Sequence, residues 1–95
     1  MYHANLSDCE MGDARSCVMF GDGYAVDSVE AAYFFRKACH MGTDVGSARG
    51  CFYLGERYEL GKGVSQSHDE ALLYLGKACA MKLQVACKNY ARLKT

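Results

Sequence analysis

A chain of 95 residues holds one small domain at most, and a domain of that size buries only a modest part of its surface, so burial alone leaves a thin margin of stability. Eleven lysines and arginines balance eleven aspartates and glutamates, which leaves no basic field to attract nucleic acid or anionic lipid. No apolar run approaches the roughly 20 residues that span a bilayer, so membrane insertion is not expected. The opening MYHANLSDCE lacks the basic and apolar regions of a signal peptide. Six cysteines, an even and high number for this length, point to covalent links and an oxidising compartment. Export would then depend on a targeting segment that this chain does not contain.

There is no proline and no low-complexity stretch, so no linker is expected and residues 1–95 read as a single domain of helices and turns. A short helix is expected near 2–9, followed by an A helix near 13–20. In EAAYFFRKAC the apolar residues Ala31, Phe34, Phe35, Ala38 and Cys39 recur at steps of three and four, placing them on one face of a B helix near 27–40. SARGCFYLGERYELGKG carries Ala48, Cys51, Leu54, Gly55 and Tyr58 in the same way, which predicts an A helix near 47–60 that stops at Gly61 and Gly63. Gly55 inside that stripe costs about 1 kcal/mol relative to alanine, and its expected use is to let a neighbouring helix approach closely. A second B helix near 68–80 and a final A helix near 84–94 complete the map. Asp27, Ser28, Ser67 and Asp69 stand at the starts of the B helices, where they can cap free amide groups.

The hairpins repeat. FGDGYAVDSVEAAYFFRKACHM (20–41) lies over LGKGVSQSHDEALLYLGKACAM (60–81) at an offset of 40 without a gap, pairing Gly21 with Gly61, Gly23 with Gly63, Glu30 with Glu70, Ala31 with Ala71, and Lys37-Ala38-Cys39 with Lys77-Ala78-Cys79. A period near 40 indicates stacked helical pairs. The units span approximately 10–40 and 47–80, with flanking helices at 1–9 and 84–95.

On this map the cysteines fall at the end of one helix and the start of the next: Cys9 with Cys17, Cys39 with Cys51, and Cys79 with Cys87. Six cysteines permit fifteen connectivities. Neighbours across a tight antiparallel turn are the ones whose α-carbons can come within the roughly 4.4–6.8 Å that a disulfide requires, and the repeat selects this sequential pairing. The middle pair is twelve apart rather than eight, with TDVG (43–46) standing as a four-residue insertion. Either the loop bulges or one helix gains about a turn. Each closed loop is short, so each bridge is worth about 2–3 kcal/mol by chain entropy.

Other uses of the thiols lack their spacing. Zinc commonly takes C-x₂₋₄-C pairs, which are missing, and His3, His40 and His68 are not regularly placed relative to the cysteines. The haem motif C-x-x-C-H and the redox motif C-x-x-C are missing as well. Neither a metal nor a cofactor is expected. Thiol catalysis needs one activated cysteine beside a base, whereas these six behave alike.

GCFYLGERYELGKGVSQSHDEALLYLGKAC and FGDGYAVDSVEAAYFFRKAC resemble Sel1-like repeats, and the cysteines paired at B-to-A joints resemble the cysteine-rich subfamily typified by the Helicobacter cysteine-rich proteins. The fullest likeness lies in Leu54-Gly55, Tyr58, Gly61-Lys62-Gly63-Val64, Ala71, Tyr74 and Lys77-Ala78-Cys79. The first unit departs from it: Cys17 to Gly21 is six residues shorter than Cys51 to Gly61, and no L-G-x-x-Y occurs there. The resemblance implies an all-α fold, an α/α solenoid of about two helical-hairpin repeats related to tetratricopeptide repeats. It implies a right-handed, disulfide-stapled superhelix whose A helices line a concave face. It also implies export to a periplasm or the extracellular space and an adaptor role, with a protein or peptide as ligand. Two repeats are near the minimum for a solenoid, which suggests self-association or a longer array.

Some cysteine-rich members of that family are described as β-lactamases or penicillin-binding proteins, so β-lactam binding or weak hydrolysis is the alternative. Serine enzymes of that class use S-x-x-K, and none of the serines at 7, 16, 28, 47, 65 and 67 has a lysine three positions on. G-x-S-x-G and H-E-x-x-H are missing too, and no catalytic residue is expected. If Cys51, Leu54, Gly55 and Tyr58 face inward, then Arg49, Tyr53, Glu56 and Arg57 lie on other faces of their A helix, and Lys88, Asn89 and Arg92 take similar places on the last one. These mix an aromatic with both signs of charge, as peptide-binding surfaces do, or else form a solvated face.

Overall fold

Side chains that answer free amide groups mark most of the helix starts. The computed structural model describes residues 9–24, 28–42 and 44–95, and its helices are α1 (Ala14–Asp22), α2 (Val29–Cys39), α3 (Val45–Leu60), α4 (His68–Ala80) and α5 (Gln84–Lys94). Asp13 accepts from the amides of Arg15 and Ser16 at 3.1 and 3.4 Å and from the Ser16 hydroxyl at 2.9 Å. Ser28 accepts from Ala31 at 3.1 Å, Asp44 from Ser47 at 2.8 Å and Ser67 from Glu70 at 3.2 Å. Each bond satisfies a donor left open by the first turn, an effect of about 1 kcal/mol per cap. Helix α5 follows Leu83 and has no side-chain cap. Asp69 lies inside the first turn of α4, where its charge favours the helix dipole rather than capping. Asp27 falls outside the described residues, as does the helix expected near 2–9 apart from Cys9, which is helical.

The A helices are α1, α3 and α5, and the B helices are α2 and α4. Consecutive helices pack on each other through short joints. In addition α1 packs directly on α3, while no comparable contact joins α2 to α4 among the described residues. The first two A helices therefore pack on each other more closely than the two B helices do. The four extra residues of the middle joint enter mainly the helix. Cys51 is the seventh residue of α3, whereas Cys17 and Cys87 are the fourth of α1 and α5.

Rings and glycines reveal the true register of the repeat. Tyr58 stacks on Tyr74 at 5.7 Å and 5°, and Tyr24 stacks on Phe34 at 5.9 Å and 10°. A Cβ on Gly55 would stand 2.9 Å from Leu75 Cγ, and one on Gly21 would stand 3.0 Å from the Phe35 ring. The B helices therefore correspond at an offset of 40, but the A helices correspond at 34. Phe20-Gly21-Asp22-Gly23-Tyr24 is the counterpart of Leu54-Gly55-Glu56-Arg57-Tyr58. This corrects the ungapped pairing of Gly21 with Gly61. Gly21 is a contact position inside α1, whereas Gly61 ends α3 in the left-handed conformation, with φ of 68°. The six missing residues belong after Tyr24, so α1 keeps the packing motif and loses only its last turns.

Alanines and half-cystines make up much of the core, letting the helices approach, and Phe34, Phe35, Leu54 and Leu75 fill the wider gaps. Arg36 on α2 donates to the Tyr58 hydroxyl on α3, a polar link across the joint. Disulfides join Cys9 to Cys17, Cys39 to Cys51 and Cys79 to Cys87, with Cα separations of 4.7, 4.4 and 4.6 Å. The latter two tie the end of a B helix to the first half of the next A helix, and so connect one hairpin to its successor. The architecture is an all-α solenoid of helical hairpins, stapled at its joints, with no strand among the described residues.

Candidate functional site

Close approach of the two leading A helices creates a groove that can receive a ligand. Gly46, in the first turn of α3, has no side chain there. A Cβ on it would stand 2.6 Å from the Arg15 amide nitrogen, so α1 and α3 meet at backbone level. A groove runs over this contact, lined by Arg15, Val18, Met19, Val45, Gly46 and Arg49. Met19 and Val45 are 43% and 61% exposed, an apolar floor open to solvent. Arg15 and Arg49 are exposed, and neither forms an ion pair among the described residues. At the A-helix offset of 34 they are equivalent residues of successive repeats.

Further along the same helices the sign of charge reverses. Asp22 follows Arg15 by seven residues and Glu56 follows Arg49 by seven, a separation that returns to nearly the same helical face about 10.5 Å on. Burial pushes the Glu56 carboxyl above its ordinary range, with Arg57 opposing the shift from 3.8 Å. Asp22 is raised in the same way, again by burial against the pull of Arg57. At the mouth of α1 the direction is opposite: the hydrogen bond from the Ser16 hydroxyl leads in holding Asp13 below its ordinary range. Glu59, a turn beyond Glu56, takes Arg92 of α5 at 2.9 Å and so ties the third A helix to the second.

The residues expected to form a binding face are distributed as follows. Arg49 lies in the groove. Tyr53 is half-buried, with its ring 5.1 Å from Phe35 and 5.4 Å from Phe52, which makes it a packing residue between α3 and α2. Glu56 is half-buried, and Arg57 beside it is only 9% exposed. Lys88 and Arg92 are exposed on α5, and Asn89 between them is half-buried. The fold thus brings Glu56 and Arg57 together and links Arg92 to Glu59. Lys88 and Asn89 stand apart from the groove lining. Sequence reasoning missed Arg15, Met19 and Val45, and the offset of 34 was the available signal, because it lays Arg15 on Arg49.

No group of His, Cys, Asp and Glu side chains among the described residues converges as a metal site would. No helix among them is long and apolar enough to cross a membrane.

Comparison with known proteins agrees with this architecture. The family model of the Sel1 repeat matches residues 7–43 and 48–83, well over half of the chain. No curated protein and no solved structure matches it. Sel1 repeats mediate protein interactions as scaffolds. With two matched repeats, helical hairpins in series and disulfides joining one hairpin to the next, the chain belongs to the Sel1 repeat family.

Proposed function

We propose that this chain is a binding module that takes a segment of another protein on its A-helix face, and that it works outside the reducing cytosol. The observation that carries this reading is the pair of exposed arginines, neither held in an ion pair among the described residues, framing exposed Met19 and Val45 in one groove. Solvated charge beside open apolar area is the composition that protein recognition uses. The three disulfides support the compartment, since glutathione and thioredoxin keep cytosolic thiols reduced.

The β-lactam alternative needs a reachable serine beside a lysine. Ser16 and Ser47 are 0% exposed. Ser28 and Ser67 are engaged as helix caps. Ser65 is exposed but has no lysine three positions on, and Ser7 lies outside the described residues; the missing S-x-x-K spacing favours binding over hydrolysis.

The test is selection of a displayed random-peptide library on the oxidised protein, followed by rebinding to a variant carrying Arg15→Glu and Arg49→Glu. Arg57 is unsuitable for charge reversal, because a carboxylate in its buried place would disrupt the fold. Enriched peptides should bind the wild type and lose at least ~10-fold in affinity on the variant. Failure to enrich any sequence, or equal binding to the variant, refutes the A-face module. Turnover of nitrocefin that survives purification would favour the hydrolase.

A further inference from the structure

We propose that the bridge between Cys79 and Cys87 is a reductant-sensitive latch: an external dithiol opens it before the other two bridges and releases α5, while the contact of α1 with α3 stays formed. The three joints are built alike. In each, the sulfur of the second cysteine lies close to the carbonyl oxygen of the first, at 3.5 Å for Cys17 and Cys9, 3.5 Å for Cys51 and Cys39, and 3.6 Å for Cys87 and Cys79. They differ in cover. Cys9, Cys17 and Cys51 are 0% exposed and Cys39 is 4% exposed, whereas Cys79 and Cys87 are both half-buried. Exchange requires a thiolate to reach a bridge sulfur, so access decides which bridge is attacked first.

The joint that this bridge closes is also the one whose own residues hold it least. The first and third joints have equal spacing, and the third residue after the leading cysteine is left-handed in both: Gly12 with φ of 99° and Lys82 with φ of 72°. Lys82 is the only non-glycine residue with positive φ among the described residues, in a conformation that a Cβ makes costly. At the next position Asp13 caps α1, whereas Leu83 packs against the core and leaves α5 without a side-chain cap. Helix α5 has eleven residues, too few to be stable alone, and Ala86 is its one fully buried residue. Beyond the joint it is held by the Tyr90 ring over Gly76 and by the ion pair of exposed Arg92 with Glu59, which solvent screens. The covalent link therefore does most to keep α5 in place, and it is the link that a reductant reaches.

In the opening step a thiolate of the dithiol attacks one sulfur of the bridge and expels the other as a thiolate, which takes up a proton. The second thiol of the reagent then displaces the mixed disulfide. The bridge gains two electrons and two protons, and the dithiol leaves as a disulfide. The groove lining comes from α1 and α3, so release of α5 removes none of it.

The experiment treats the native oxidised protein with dithiothreitol, alkylates free thiols at intervals and maps them by mass spectrometry. Cys79 and Cys87 should be alkylated at least ~10-fold faster than the other four cysteines. A variant carrying Cys79→Ser and Cys87→Ser represents the opened latch for hydrogen exchange. Its amides over residues 84–94 should lose at least ~10-fold in protection while those of α1 and α3 keep theirs. Adding Lys82→Gly to that variant should restore α5 protection by ~3-fold or more, since it relieves the strained turn. Equal rates at the three bridges or first opening elsewhere overturns the latch. So does an α5 that stays protected without its bridge, a loss of protection that spreads to α1 and α3, or a Lys82→Gly variant that restores nothing.

Discussion

Arg57 shows how one residue can be placed by packing against the expectation of its charge. It follows Leu54 by three positions and so shares the inward stripe of α3, and the chain buries its stem while Glu56 and Asp22 stand beside its head. Its charge hid that stripe position from a reading based on polarity, whereas Ser28 and Ser67 were legible because their capping role is local and needs no knowledge of neighbours. The same cluster gives a prediction for pH. Glu56 has its carboxyl raised above 4.5, mainly by burial. Its contribution to stability is thus fullest below that value and declines as pH climbs through the raised one, because the unfolded chain releases the proton first. Glu56→Gln cannot ionise and escapes this decline. Urea unfolding should show the variant gaining on the wild type between about pH 4 and pH 7. A variant that loses ground over that interval would mean that the attraction of Arg57 outweighs burial.

At the scale of elements, the helices themselves were readable from spacing, and the order A, B, A, B, A followed from the repeat. The register of α1 against α3 was not, because a gap after Tyr24 shifts the A helices to an offset of 34 while the B helices keep 40. An ungapped alignment sees one offset only, and the stacked pairs Tyr24 with Phe34 and Tyr58 with Tyr74 expose the other. The groove depends on that register and on Gly46. Alanine there would gain up to about 1 kcal/mol of helix propensity. It would also set a methyl 2.6 Å from backbone of α1, which cannot rotate away as a side chain can. Overpacking costs typically 1–3 kcal/mol, so Gly46→Ala should lower stability by about 1–2 kcal/mol net and weaken peptide binding with Arg15 and Arg49 intact. Thermal and urea unfolding of the oxidised variant measure this; unchanged stability would show that the A helices slide apart freely.

For the whole molecule, the balance lies between a small alanine-rich core and its covalent joints. At about 2–3 kcal/mol each, three short-loop bridges together rival the 5–15 kcal/mol total typical of a folded domain. The staples were visible as a repeated position in the sequence, and the direct contact of α1 with α3 became visible only once the helices were placed. The groove requires the first two A helices in fixed register, which the joints maintain. Peptide mapping by mass spectrometry of the native protein, digested without reductant, tests this most directly. The expected result is a chain lighter than its reduced form by two hydrogens per bridge, with fragments linked through Cys9 and Cys17, Cys39 and Cys51, and Cys79 and Cys87. Free thiols at these positions, or links between distant joints, would contradict the stapled solenoid and the binding face built on it.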